Sequence, residues 1–193
     1  MSSPTQRKQF VDQINAHRKI LYKLTFVYCR RSDDRKDLIQ EMLIQLWRSY
    51  ERFDGRVKFS TWMYRVAANT AISFYRQGQR SEPEFVSIEE LGTDIAAADE
   101  AFDESGDSMQ TLRRLIDAMD EVNMALLLMY LDGCSHEDIA ASSGTSVSNG
   151  GTRISRIKQK LKDSLTCGEN MELDELKLAW QHARCKINRK TAY

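Results

Sequence analysis

The sequence predicts an all-α protein of two small helical domains joined by an acidic linker. Three observations carry that expectation. Apolar residues recur at helical spacing almost throughout, and no alternating run is long enough to make a strand. Proline occurs only at Pro4 and Pro83. The charges are segregated: 28 basic and 28 acidic side chains cancel over the 193 residues, yet residues 81–110 hold ten Asp and Glu and no Lys or Arg. The rest of the chain is left near +10. Two basic blocks, 10–80 and 109–163, therefore flank an acidic connector at 81–108, and the basic blocks are the candidates for a polyanionic partner.

In the first block, Ile14, Ile20, Leu21, Leu24 and Tyr28 predict an opening helix. The next helix opens at Ser32 and Asp33, residue types that cap helix starts. Within it Leu38, Ile39, Met42, Leu43, Leu46 and Trp47 make one apolar face, while Asp37, Gln40, Glu41, Gln45 and Arg48 fall on the other. The run Phe53–Gly55 stops it. A third helix is predicted from about Ser60 to Gly78. The connector is rich in acidic and small residues and predicts only short ordered pieces, such as 88–91. In the second block, 109–131 reads as one or two helices ending at Asp132-Gly133. A short helix follows Ser135, with Asp138 three residues on in place of the Glu of a capping box.

Some function classes are excluded early. No apolar run reaches the roughly 18 residues of a membrane span, and no apolar stretch follows the first charges as in a secretory signal. Membrane insertion is not expected, and a cytoplasmic location with reduced thiols is. Cys29, Cys134, Cys167 and Cys185 include no C-x-x-C pair. Cys167, His182 and Cys185 are a weak candidate for a metal or thiol site. His17, His136 and His182 are scattered, with no nucleophile beside them. No catalytic residue, metal or cofactor is expected.

The stretch 135–163 has the physical requirements of a helix-turn-helix. Ala140 is small enough to let two helices cross closely. Gly144 supplies the positive φ of the turn, and Ser146 is placed to cap the second helix. Val147, Ile154, Ile157 and Leu161 fall on its inner face. Ser148, Asn149, Thr152, Arg153, Arg156, Lys158, Lys160 and Lys162 offer polar groups to bases and cations to phosphates.

Laid out as "GCSHEDIAASSGTSVSNGGTRISRIKQKL", this segment resembles region 4 of sigma-70-type transcription initiation factors, in particular the extracytoplasmic-function (ECF) group. "DLIQEMLIQLWRSYERFDG" and "KFSTWMYRVAANTAISFYR" resemble the same family's region 2. The resemblance covers about residues 10–163, in the family's order. It implies sigma region 2 at 10–80 and a region 4 helix-turn-helix at 109–163. It also implies partners: core RNA polymerase, through its β′ clamp and β flap, promoter DNA, and an anti-sigma factor. For polymerase binding it points to Asp37, Leu38, Gln40, Glu41 and Gln45. For the −10 element it points to Arg56, Lys58, Phe59, Trp62, Asn69 and Arg76, within a segment whose aromatics and cations suit an extruded base and a strand backbone. For the −35 element it points to Ser148, Asn149, Thr152, Arg153, Arg156 and Lys160.

Three departures stand out. Ser73 replaces an Asp frequent in the family. Gly150 replaces a buried aliphatic residue and Gly151 a polar helix former. Each glycine costs a helix interior about 1 kcal/mol against alanine, so a looser recognition helix is expected. Finally, residues 164–193 extend beyond the resemblance. There Leu173, Leu176, Trp180, Ala183 and Ile187 form an a/d seam, too short to be stable without something to pack on. Two rival readings use the same residues: a helix-turn-helix regulator that needs no polymerase, and a degenerate sigma factor that only sequesters a partner.

Overall fold

A computed structural model describes residues 4–78, 107–168, 174–178 and 180. Among them every regular element is a helix: α1 Pro4–His17, α2 Lys19–Tyr28, α3 Ser32–Tyr50, α4 Phe59–Gly78, α5 Asp107–Asp117, α6 Glu121–Leu131, α7 His136–Ser143 and α8 Val147–Gly168. The chain divides into two compact units, α1 to α4 and α5 onward. The acidic connector from 81 to 106, Cys185 and His182 lie outside the described residues, as do the seam residues Leu173, Ala183 and Ile187.

In the first unit α2, α3 and α4 pack on one another. The single opening helix expected from periodicity is two, α1 and α2, meeting at Arg18, whose backbone stays in the right-handed region at φ −51° and ψ −27°. Two faces explain the break. α1 buries only a stripe that includes Phe10 and Ile14, whereas α2 is buried from Ile20 through Tyr28. Even Lys23 and Thr25 are enclosed there, and Thr25 Oγ1 donates to the Tyr22 carbonyl at 2.8 Å. A hydroxyl folded back on its own helix removes the cost of an unmet buried donor. α3 starts differently from expectation. Ser32 is its first helical residue, and the preceding Arg31 is extended and makes no side-chain cap. Asp33 and Asp34 sit in the first turn, where carboxylates favour the helix dipole.

In the second unit α6, α7 and α8 pack together. The block read as one or two helices is two, because Asp120 is extended and accepts the Asn123 N–H at 2.9 Å, starting α6 afresh. Ser135 Oγ accepts the Asp138 N–H at 3.1 Å, as its position predicts. Asp138 stands where a capping box has Glu. Its carboxylate accepts from the Ser135 hydroxyl at 2.8 Å. Gly144 holds φ +66° and ends α7, with the Thr145 N–H on the Ala140 carbonyl at 3.0 Å. Ser146 Oγ accepts the Asn149 N–H at 3.3 Å at the start of α8.

Candidate nucleic-acid and protein interfaces

The outward side of α3 is polar. Gln40 is exposed, and Asp37, Glu41 and Gln45 are half-buried. Gln45 Nε2 donates to Glu41 Oε1 at 2.8 Å, so one turn of the helix fixes the carboxylate of the next. Ser49 Oγ folds back onto the Gln45 carbonyl at 2.7 Å. Leu38 does not belong with these residues. It is 0% exposed and lies in the core with Met42 and Leu46. Its position in the apolar row placed it there, and it can act on a partner only by holding the polar face in place.

Between α3 and α4 the chain turns through Phe53–Lys58. Asp54 organises this turn: its carboxylate accepts the Arg56 backbone N–H at 3.1 Å and pairs with Arg56 Nε at 3.1 Å. Arg56 and Lys58 remain exposed. Behind them lies an aromatic cluster. Phe53 and Trp62 rings are 5.0 Å apart, Phe53 and Phe59 5.6 Å, Phe59 and Trp62 5.2 Å, and Tyr50 stacks on Phe53 at 6.4 Å. Phe59 was expected to face nucleic acid. At 9% exposure it is the floor of this cluster, also stacked by His17 at 5.6 Å. Phe53 and Trp62, half-buried like Tyr50, are rings of the cluster with surface to offer. Burial holds the His17 imidazole below its usual pKa. Along α4, Trp62, Asn69 and Arg76 recur every seven residues, so they share a face, and Asn69 and Arg76 are exposed. Tyr64 lies in the core, and Tyr75 packs edge-on against Tyr28 at 6.0 Å.

In the second unit the outer side of α8 presents Ser148, Asn149, Thr152, Arg156 and Lys160, all exposed, with Arg153 half-buried at its margin. Ile154, Ile157 and Leu161 are buried, as their spacing requires. Val147 departs from the expected inner face: it is 49% exposed. The two glycines do not interrupt α8, which is continuous from Val147 to Gly168. Gly150 is buried, and a Cβ built on it would meet Ala140 Cβ at 3.4 Å. The space a larger residue would occupy is closed by the approach of α7, so the expected loss of buried side chain is partly replaced by helix contact. Gly151 has nothing within 4 Å of a built Cβ.

Lys158 does not join the outer row. Its Nζ lies 5.3 Å from the Tyr130 ring centroid, and Lys177 Nζ lies 4.2 Å from the same ring. That second lysine belongs to the described residues 174–178 and 180, which pack within the second unit. Leu176 and Trp180 are 0% and 1% exposed, and Trp180 Nε1 donates to Asp132 Oδ1 at 3.0 Å. The seam of apolar residues signalled a packing face. Asp132 and Tyr130 as its receptors carried no sequence signal. Among the described residues no cluster of His, Cys, Asp and Glu fits a metal ion.

Residues 13–81 match sigma-70 region 2, and residues 109–161 match sigma-70 region 4. The chain is 31% identical over 144 residues to the ECF RNA polymerase sigma-E factor of Haemophilus influenzae, an alignment covering 69% of this chain and 75% of that one. It is 32% identical over 143 residues to the sigma-E factor of Escherichia coli K12, with the same coverage. Two solved structures share the fold. CnrH, in complex with the cytosolic domain of CnrY, aligns with a TM-score of 0.60 at 20% identity, over 86% of this chain and 97% of that one. RpoE of Bartonella quintana, in complex with the anti-sigma factor NepR, aligns with a TM-score of 0.58 at 20% identity, over 84% and 99%. With both regions matched in order, the chain belongs to the sigma-70 family of RNA polymerase sigma factors, in its ECF group.

Proposed function

We propose that this ECF sigma factor binds core RNA polymerase through the polar face of α3, delivers it to −10 and −35 promoter elements, and assists melting at the start site. The observation that carries the reading is the pairing of two separate units, each with its own exposed polar surface. Gln40, with Asp37, Glu41 and Gln45, offers the β′ clamp a hydrogen-bonding face on a rigid helix. Arg56, Lys58, Asn69 and Arg76 supply cations and amides to the −10 strand, and Phe53 and Trp62 supply ring faces on which an unpaired base can stack. The outer row of α8 reads the −35 element, with Arg153 and Arg156 as its principal cations.

The protein acts by binding and catalyses no covalent step, and it works in the cytoplasm beside the polymerase. No helix among the described residues is long and apolar enough to cross a membrane. Solved relatives of the same fold are complexes with CnrY and with the anti-sigma factor NepR, which supports an inhibitory protein partner here too.

The test is competition for core polymerase against a housekeeping sigma factor, using the full chain and a Gln40→Ala/Glu41→Ala double variant. Saturable binding weakened by the double variant supports the reading. Failure to bind polymerase, with duplex binding intact, would make the chain a free-standing regulator. Unchanged promoter output from an Arg153→Ala/Arg156→Ala variant would point to a sequestering role.

A further inference from the structure

We propose that Val147 and Gly151 form a recess on α8 that receives the C5 methyl of a thymine in the upstream promoter element, making Val147 a specificity-determining residue. The inference rests on the reading of α8 as the −35 helix and names one chemical feature of its target.

Val147 is one of three large apolar side chains exposed among the described residues, with Val57 and Leu178. Single exposed apolar residues are common on protein surfaces, so exposure alone decides nothing. Position does more. Val147 is the first residue of α8, and recognition helices contact base edges from their N-terminal end. Its immediate neighbours Ser148 and Asn149 are exposed polar groups suited to the same edges.

The second observation is independent. Gly151 lies one turn on, at i+4, where side chains of the same helix meet. Helix Cα–Cβ bonds tilt toward the N-terminus, so a side chain at 151 would lean over Val147. None is there, and apart from the adjacent residues and the helix's own backbone nothing lies within 4 Å of the Cβ position. The branched valine side chain, 49% exposed, therefore has no side chain laid over it from residue 151. Valine has one strongly preferred χ1 rotamer in a helix, so little conformational freedom is lost when something packs on it. Thymine is the base that carries a methyl group in the major groove. An exposed valine beside a residue with no side chain is an apolar surface on which such a methyl can pack. It assigns a role to a glycine that local helix propensity disfavours.

The experiment uses holoenzyme made from the full chain and core polymerase. The probe is a duplex pool with a randomised upstream element, amplified with either dTTP or dUTP, because deoxyuridine lacks only the C5 methyl. Wild-type holoenzyme should enrich a thymine at one position and bind the selected element about fourfold more weakly when that thymine is deoxyuridine, the factor expected for one buried methyl. Val147→Ala should bring that ratio close to one while leaving binding to deoxyuridine DNA nearly unchanged. Gly151→Ala should lower the ratio too, by occupying the recess. A wild-type ratio of one, or an unchanged ratio in Val147→Ala when Arg156→Ala weakens binding, overturns the assignment alone. Absence of any enriched upstream element overturns it together with the −35 reading.

Discussion

Replacing Gly151 with alanine should stabilise the second unit. Gly151 is the fifth residue of α8, inside the helix, and its Cβ position is open. Alanine therefore meets no clash and gains the full propensity difference of about 1 kcal/mol. Part of that gain comes from the unfolded chain, which has fewer conformations to lose. For a unit of this size, 1 kcal/mol raises the midpoint by roughly 4–8 °C. Gly144→Ala is the opposing control. Its φ of +66° is left-handed, a conformation that costs an L-residue about 1–2 kcal/mol. The assay is urea and thermal unfolding of the full chain by circular dichroism, with hydrogen exchange of α8 peptides to assign the change. Higher protection in Gly151→Ala and lower protection in Gly144→Ala fit the structure. If Gly151→Ala leaves the midpoint and α8 protection unchanged or lowered, α8 is not helical at that residue in the free protein, and the reasoning fails. Gly150→Val should behave unlike either. Its γ carbons lie beyond a Cβ already 3.4 Å from Ala140, so α7 and α8 must separate, at a cost of about 1–3 kcal/mol.

Three further outcomes are expected. Asp132→Ala leaves the buried Trp180 N–H without its acceptor and should lower second-unit stability by about 1–3 kcal/mol, while Asp132→Asn, which keeps an acceptor, should lose less; urea unfolding followed by tryptophan fluorescence measures both. Burial depresses the His17 pKa, so below pH 6.5 the unfolded chain binds more protons there than the folded one. First-unit stability should fall as pH drops below that value through the folded pKa, and His17→Gln should flatten the dependence in melts across pH 5–8. Ser135→Ala removes the cap accepting the Asp138 N–H and should cost about 1 kcal/mol, read from second-unit unfolding.

Ser135, Gly144 and Ser146 were legible in the sequence because a cap or a left-handed turn involves only a few consecutive residues. The helix faces were legible too, since 3.6-residue periodicity decides which side chains point the same way. Periodicity does not say what covers a face. Leu38 was grouped with its polar neighbours although the row it shares with Met42 is core. Phe59 was read as a nucleic-acid contact, and the packing of Phe53, Trp62 and His17 around it made it a floor. Val147 was placed inside, although the start of α8 leaves it uncovered.

The sequence by itself determined the helical class, the two regions and their order, and the residue types available to polymerase and DNA. Those properties rest on local propensity, charge and spacing. Only the tertiary structure decided that Gly150 lets α7 and α8 touch at Ala140, that Val147 stays half exposed at the start of α8, and that Trp180 closes on Asp132 from 48 residues away in sequence. Each of these depends on which surfaces meet after the chain has folded back on itself, and periodicity marks that a face packs without marking what it packs on.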